Sequence, residues 1–270
     1  MKRGGKRFFP TMILLTGLGY ASFLLSKAIF VVIGVLSFLL LTPWPRARQA
    51  FLSGLLCGFL GLFTRVWLPL MRAYRIVEIS GRDLIESCRP AVIVANHRSF
   101  MDSIFLLGLS PRTGALTKDK HARQPIYYLL VRYYDLVSVD RESLESVRAA
   151  FARCRQLLAA GKNLVVFPEG TRARSGRLQP FNRFAFDLAL AAGVPVLPVV
   201  IHSTEAFMGK MAGSAFPRRR NFFRIRFLDP EPLRAGDDGD SLRDRVHRRL
   251  AQELKLLDVG TGWEMNPHKP

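Results

Sequence analysis

The sequence predicts an α/β fold: a mixed, largely parallel sheet flanked by helices and preceded by an N-terminal helical membrane anchor. Beyond Arg75, short apolar runs typical of strands alternate with longer runs typical of helices, which is the order that builds such a sheet. Before that point the chain is almost entirely apolar, and every charged residue in it is basic. We therefore predict two parts, an anchor at residues 1–72 and an α/β domain at residues 73–270.

Ten lysines and arginines precede the first acidic residue, Glu78, and nine of them lie in the anchor segment. Two uncharged runs, Phe8–Ser26 and Ala28–Pro45, are each close to the ~20 apolar residues that a membrane-spanning helix needs. Together they are far longer than the apolar region of a cleaved signal peptide, so we expect a retained anchor, either two spans or a hairpin. Lys27 is then expected at the hairpin turn or at the far interface, because a charge at mid-bilayer is costly.

A third apolar run, Gln49–Leu70, is interrupted by Arg65 and Pro69 and is predicted to lie as a helix in the membrane interface. Basic residues flank both ends of Phe8–Pro45, which favours a cytoplasmic position for both ends. We therefore expect a protein in contact with membrane lipids, with its functional site on the cytoplasmic face.

The α/β part of the chain divides into six predicted strands and five predicted helices. Strands are expected at Arg75–Ile79, Ala91–Ala95, Leu136–Val139, Asn163–Phe167, Val196–Ile201 and Phe223–Phe227. Helices are expected at Met101–Leu109, Ile126–Tyr133, Ser143–Ala160, Phe184–Ala192 and Leu242–Leu257.

The composition argues against metal-dependent, disulfide-stabilised and nucleic-acid-binding proteins. Three widely spaced cysteines and five histidines show no metal-ligand spacing, so we expect neither a metal site nor a disulfide framework. The net charge of +19 favours anionic partners. Nucleic acid is not expected among them, because the charge is concentrated around the apolar runs and no nucleic-acid recognition motif is present.

The stretch from Asn96 to Asp102 places a histidine and a carboxylate five residues apart, between a predicted strand and a predicted helix. In one continuous helix five positions are about 500°, so the two side chains would point roughly 140° apart. They meet only if His97 lies in the strand-to-helix turn and Asp102 lies in the first helical turn. Asp102 would then hold one imidazole nitrogen and leave the other as a base. The alternative is a capping role, in which Asp102 only accepts hydrogen bonds from amides at the helix start.

A second motif, Phe167–Arg172, directly follows a predicted buried strand. A glycine-containing turn at the carboxyl end of a strand is where open α/β sheets bind ligands. The planar guanidinium of Arg172 can donate two hydrogen bonds to a phosphate, and Glu169 can orient Arg172 or accept a hydrogen bond from a substrate hydroxyl. The alternative is a Glu–Arg surface pair on a tight turn.

Three weaker signals accompany these motifs. Asp140-Arg141 ends a predicted strand, and Lys118 can face an anionic substrate. Val194–Val200 reads as a buried strand with two prolines. Because proline is tolerated mainly at the starts, edges and bulges of strands, this strand could line the edge of a groove, but ordinary core is the commoner place for such a run.

Together these motifs resemble those of the 1-acylglycerol-3-phosphate acyltransferases, a branch of the glycerolipid acyltransferases. The resemblance covers about Ala91–Ile201 and consists of four blocks in the family's order. Asn96–Asp102 matches the His-x4-Asp block, and Asp140-Arg141 matches the end of the second block. Phe167–Arg172 matches the third block, and Val194–Val200 matches the fourth.

The resemblance implies a membrane-bound O-acyltransferase in which His97 and Asp102 are catalytic. It implies a lysophospholipid acceptor and an acyl thioester donor, either acyl-CoA or acyl carrier protein, without a cofactor. In this family Lys118 falls where a basic residue is common. The residues that would serve the phosphate and glycerol of the acceptor are Arg141, Glu169, Gly170, Thr171 and Arg172.

Two departures from the family's pattern bear on the identity of the acceptor. The second block carries Asp135, Leu136 and Ser138 where a glycine and an aromatic residue are usual, and Asn182 and Phe184 replace a typical lysine and glycine after the third block. A lyso-aminolipid or a glycolipid is therefore an alternative acceptor. Two further alternatives are a hydrolase that uses the same His–Asp pair, and a non-catalytic basic protein that binds membranes or polyanions.

Overall fold

The structure, a computed structural model, describes residues 8–70, 74–99, 101–119, 135–173, 178–203 and 221–260. Within these residues seven strands form one sheet: β1 (Tyr74–Ser80), β2 (Val92–Ala95), β3 (Thr113–Lys118), β4 (Leu136–Val139), β5 (Asn163–Val166), β6 (Val196–Ser203) and β7 (Asn221–Phe227). They lie in the order β1-β7-β6-β2-β5-β3-β4, and every neighbouring pair except β6 and β7 is parallel. The predicted mixed, largely parallel sheet is confirmed.

Eight α-helices accompany this sheet in the same described ranges, with a π-helical turn at Phe63–Trp67 between the second and the third. They are α1 (Phe8–Leu40), α2 (Pro45–Leu62), α3 (Leu68–Leu70), α4 (Leu84–Ser87), α5 (Met101–Leu107), α6 (Leu144–Ala159), α7 (Phe184–Ala192) and α8 (Gly239–Gly260).

The helices cover both faces of the sheet. Along β2 the side chains alternate, as strand geometry requires: Ile93 and Ala95 pack in one cluster with α5 and the π-helical turn, whereas Val92 and Val94 pack in a second cluster with α6, α7 and α8. Because both faces are covered, β2 is buried throughout and its sequence is uniformly apolar.

The N-terminal helices do not turn at Lys27, so the hairpin-turn position expected for this residue is wrong, while the far-interface position stays a prediction. Helix α1 runs through this residue without a break, so the turn lies instead at residues 41–44. Lysine is a good helix former, whereas Pro43 and Pro45 disfavour helix continuation in the residues before them. By length and composition alone, two described segments are able to cross a membrane, Gly17–Leu40 and Pro45–Leu70.

The helix predicted at Gln49–Leu70 is confirmed and continues through Arg65 and Pro69, while its place in the membrane interface stays a prediction. Pro69 cannot donate a hydrogen bond to the preceding turn, and the helix widens into its π-helical turn just before this residue. Helix α2 also packs closely on the end of α5, where a Cβ added to Gly108 would lie 3.1 Å from the backbone nitrogen of Gly61. One side of this long helix is therefore held by the α/β domain.

Two strands of the sheet need comment, β3 and β6. Strand β3 was not predicted, because its sequence mixes threonine, glycine and lysine with only Ala115 and Leu116 as apolar residues. The proline-containing strand β6 is fully buried between β2 and β7, which confirms the ordinary core and not the groove edge. Pro198 fits there because pairing with β7 begins one residue later, at Val199.

The other described strands and the longer helices of the α/β domain lie within three residues of their predicted bounds, while the short helix α4 was not predicted. The predicted helix at Ile126–Tyr133 lies outside the described residues. The predicted boundary between the anchor and the domain, at residues 72 and 73, also falls there and stays a prediction.

Candidate active site

The candidate site lies at one edge of the sheet, where four neighbouring parallel strands end. Val94 of β2 lies opposite Val166 of β5, so the residues that follow these two strands emerge side by side. Lys118 of β3 lies opposite Val139 of β4 at the same edge. The three motifs and Lys118 are thereby brought to the position at which open α/β sheets bind ligands.

His97 and Asp102 are in contact, as their spacing predicted. His97 lies in the turn after β2, Asp102 lies in the first turn of α5, and the imidazole Nδ1 is 3.0 Å from Asp102 Oδ2. The aspartate side chain is 1% exposed and the histidine side chain is 19% exposed. Nε2 of His97 has no hydrogen-bond partner in the part of the chain that the structure describes. This geometry is that of a base held at one nitrogen and open at the other.

Asp102 also has the capping role that the sequence left as an alternative. Its Oδ2 accepts hydrogen bonds from the backbone N–H groups of Arg98 at 2.7 Å and Ser99 at 2.8 Å. Its buried Oδ1 has no partner among the described residues. The two interpretations are therefore compatible, since one oxygen fixes both the turn and the imidazole.

The ring of Phe167 stacks on the imidazole of His97. The ring centroids are 4.2 Å apart and the planes are inclined by 23°. Phe167 is the first residue after β5, and its carbonyl accepts a hydrogen bond from the N–H of Gly170, which closes the turn. One face of the imidazole is therefore covered by an aromatic side chain.

Glu169 joins the loop after β5 to the turn that carries the histidine. Its Oε1 accepts a hydrogen bond from the N–H of His97 at 2.7 Å, and its Oε2 accepts one from the N–H of Gln179 at 3.0 Å. Burial raises the pKa of the Glu169 carboxyl to about 7, although both hydrogen bonds act to lower it. The carbonyl of His97 accepts a further hydrogen bond, from the N–H of Ala173 at 2.7 Å. Both backbone polar groups of His97 are thus bonded to this loop.

Gly170 brings Asp140-Arg141 and Phe167–Arg172, the second and third blocks, together. Its φ of +67° is a left-handed conformation that residues with a Cβ rarely adopt. In addition, the guanidinium of Arg141 occupies the position that a Cβ on Gly170 would take. The two residues therefore lie together, as the resemblance implied, while their roles toward a substrate stay predictions.

The other predicted binding residues lie at the same edge. Lys118 ends β3, Thr171 and Arg172 directly follow Gly170, and all three are half-buried. Asn182, one of the departures from the family's pattern, donates hydrogen bonds to the carbonyl of Pro168 through both its backbone N–H and its side-chain amide. Among the residues that the structure describes, no group of three or more histidine, cysteine or acidic side chains is arranged to hold a metal ion.

Sequence reasoning missed the contribution of two residues to this site. The buried amide of Asn96 exchanges hydrogen bonds of 2.9 and 2.8 Å with the backbone of Ile201 and so fixes the end of β2 to β6. The only signal for it was its position directly after a buried strand. The stacking of Phe167 had no signal, because no spacing rule connects it with a residue seventy positions earlier.

Comparisons with known proteins agree with these motifs. A family model described as "Acyltransferase" matches residues 76–202. The structure is also similar to the crystal structure of the 1-acyl-sn-glycerophosphate (LPA) acyltransferase PlsC from Thermotoga maritima. That similarity has a TM-score of 0.71 at 23% sequence identity and covers 91% of this chain and 95% of the other.

Curated relatives that carry the name 1-acyl-sn-glycerol-3-phosphate acyltransferase include the following three. The chain is 30% identical to a chloroplast protein of Brassica napus over 67% of its own length, 29% identical to a protein of Chlamydomonas reinhardtii over 91%, and 30% identical to the human alpha form over 69%. It spans about half of the Brassica napus protein (51%), 71% of the Chlamydomonas reinhardtii protein and 66% of the human one.

Proposed function

Because the chain belongs to the acyltransferase family, we propose that it is a membrane-bound O-acyltransferase that moves a fatty acyl group from an acyl thioester to the hydroxyl of a lysophospholipid. The first candidate acceptor is 1-acylglycerol-3-phosphate, which would yield phosphatidic acid, since this is the substrate named in the relatives. The observation that carries the proposal is the His97–Asp102 contact at the ligand-binding edge of the sheet.

His97 acts as the general base. Its Nε2 removes the proton from the acceptor hydroxyl while the hydroxyl oxygen forms a bond to the thioester carbonyl carbon. Asp102 keeps the other proton on Nδ1 and stabilises the imidazolium that forms. The tetrahedral intermediate then breaks its C–S bond, and the departing thiolate takes the proton from the imidazolium. Attack is direct, because the thioester is already activated and no serine or cysteine lies in a nucleophile-elbow motif.

The cationic side chains at the sheet edge favour anionic substrates. Arg141 and Arg172 suit the phosphate of the acceptor, because a guanidinium donates paired hydrogen bonds to an anion. Lys118 adds a positive charge at the end of the neighbouring strand. The donor, acyl-CoA or acyl carrier protein, is anionic in either form and is favoured by the net charge of +19.

Membrane attachment would bring this site to a lipid substrate. Helix α1 exposes a large apolar surface, on which Leu25 is 65% exposed and Leu36 is 53% exposed, and lipid would cover it favourably. Glutamate at both positions should release the protein from liposomes in a flotation assay. Leu256→Glu, at a leucine of α8 that is 63% exposed, is the matched control and should leave flotation unchanged. Release by the control alone would contradict this attachment. We further propose that the site faces the cytoplasm, as the flanking basic residues favour.

The function is tested by offering the purified protein a panel of lysolipids with both donor types and identifying the products by mass. His97→Ala should lower turnover by about 10²- to 10⁴-fold, the usual contribution of a general base. His247→Ala, which removes an imidazole packed edge-on against Phe181 in the second cluster, is the control and should retain activity. Unchanged turnover in His97→Ala would refute the mechanism. A product formed only from an aminolipid or a glycolipid would correct the acceptor.

A further inference from the structure

The ring of Phe167 covers one face of the His97 imidazole, and the proposed reaction gives this ring no role. Phe167 and His97 lie nearly parallel, with ring centroids 4.2 Å apart. The backbone of Phe167 is fixed at both ends. It directly follows strand β5, and its carbonyl accepts a hydrogen bond from the N–H of Gly170. Its ring packs against the apolar cluster under α5. The position of the ring beside His97 is therefore fixed by the fold.

The face of an aromatic ring carries a partial negative charge, so it attracts a cation placed over it within about 6 Å. In the proposed reaction the imidazole is neutral before the proton transfer and cationic after it. An aromatic face at this distance consequently interacts more strongly with the transition state than with the resting enzyme. An interaction of that kind raises kcat without tightening substrate binding.

We propose that Phe167 is a positioning residue for His97: its ring fixes the plane of the imidazole and its face stabilises the imidazolium formed during acyl transfer. The inference rests on the proposed function. It adds a second source of stabilisation to Asp102, which acts in the plane of the imidazole through Nδ1, whereas Phe167 acts perpendicular to that plane. An aliphatic side chain of similar volume would fill the same space but would lack the electrostatic part.

Three other charged groups lie near His97 and also affect its imidazole. Asp102 is hydrogen-bonded to the imidazole, Glu169 accepts a hydrogen bond from the backbone N–H of His97, and Arg98 is the next residue in the chain. None of these groups changes when the ring of Phe167 is modified without a change of shape. Replacing ring hydrogens with fluorine does this, because fluorination weakens the negative face and keeps the size nearly constant.

The experiment incorporates 3,4,5-trifluorophenylalanine at position 167 of the full-length protein. We expect kcat to fall by roughly three- to tenfold, with the KM of both substrates and the Tm unchanged. The acidic limb of the pH profile should move to lower pH by about half a unit, since the imidazolium is less stabilised. Phe167→Tyr, which keeps the aromatic face, should retain most of the activity, and Phe167→Leu should lose more than the fluorinated protein. The same fluorinated residue at Phe186, a fully buried position in the second cluster, is the control and should leave kcat unchanged.

An unchanged kcat and pH profile after fluorination of Phe167 would overturn the inference, and so would an equal loss after fluorination of Phe186. These results are distinct from failure of the proposed function. If the wild-type protein transfers no acyl group, or if His97→Ala keeps its turnover, the function itself is wrong. If transfer occurs and depends on His97 but ignores fluorination, only the role of Phe167 is wrong.

Discussion

Replacing Gly170 with alanine tests whether its contact with Arg141 serves the reaction. Gly193, which ends α7, provides a matched control because its φ of +65° is close to the +67° of Gly170. Alanine in this left-handed conformation costs about 1–2 kcal/mol at either position. In a domain of about 200 residues each kcal/mol lowers the Tm by about 2–4 °C. Both variants should therefore melt about 2–8 °C below the wild type.

The two variants should differ in activity. A Cβ at Gly193 meets no atom within 4 Å, whereas a Cβ at Gly170 takes the place of the Arg141 guanidinium. If Arg141 binds the acceptor's phosphate as proposed, displacing its guanidinium forfeits a charged hydrogen bond of about 1.5–3 kcal/mol, or roughly 10- to 150-fold in kcat/KM. We expect this loss in Gly170→Ala and near wild-type kcat/KM in Gly193→Ala, measured from initial rates well below both melting temperatures.

A double variant that combines Gly170→Ala with Arg141→Ala shows whether the loss of activity arises from the guanidinium. If Gly170→Ala acts by moving the guanidinium, it should cost little further activity in a protein that already carries Arg141→Ala. Fully additive losses would show that the two residues act independently and would refute the reasoning. An equal loss of activity in Gly193→Ala would refute it as well, because backbone strain alone would then suffice.

Three further results are expected. Asp102→Asn keeps an acceptor for the backbone amides but loses the charge beside the imidazolium, so kcat in steady-state assays should fall by roughly 10- to 150-fold, and an unchanged kcat would contradict this role. The pKa of Glu169 is raised from 4.5 to about 7, so the folded protein holds this proton more tightly than the unfolded chain does. The stability of the wild type relative to Glu169→Gln should therefore decrease as pH rises from 4.5 to 7, by about 3 kcal/mol, which is measurable as a changing difference in Tm; a constant difference would exclude it. Gly108→Ala should lower the Tm, because its Cβ would press on the backbone of α2 at Gly61. The control Gly58→Ala, whose Cβ would meet no atom within 4 Å, should preserve or raise the Tm. The reverse order of the two melting temperatures would contradict the close packing of α2 on α5.

The features that the sequence predicted well depend on local patterns. Apolar runs located most of the strands, and the five-residue spacing was enough to require that His97 lie in a turn and Asp102 in the first turn of a helix. Strand β3 was not predicted, because few of its residues favour a strand on their own. It forms because β4 and β5 pair with it on both sides, which is information that no short window contains.

The features that the sequence did not predict depend on contacts between distant segments. The carboxylate of Glu169 was expected to serve Arg172 or a substrate, yet both its oxygens accept backbone hydrogen bonds, one from His97 and one from Gln179. Burial of a carboxylate between two backbone segments cannot be read from residue types alone. Helix α1 continues through Lys27 because lysine is a good helix former and no proline or glycine stands beside it to end the helix.

The backbone of the histidine has no freedom of its own in this arrangement. Its amide and its carbonyl are both committed to the segment that contains Glu169 and Ala173, which is the same segment expected to receive the acceptor. If the acceptor binds to that segment as proposed, these two hydrogen bonds couple its fit to the position of the imidazole. A lipid that displaces the segment should then react slowly.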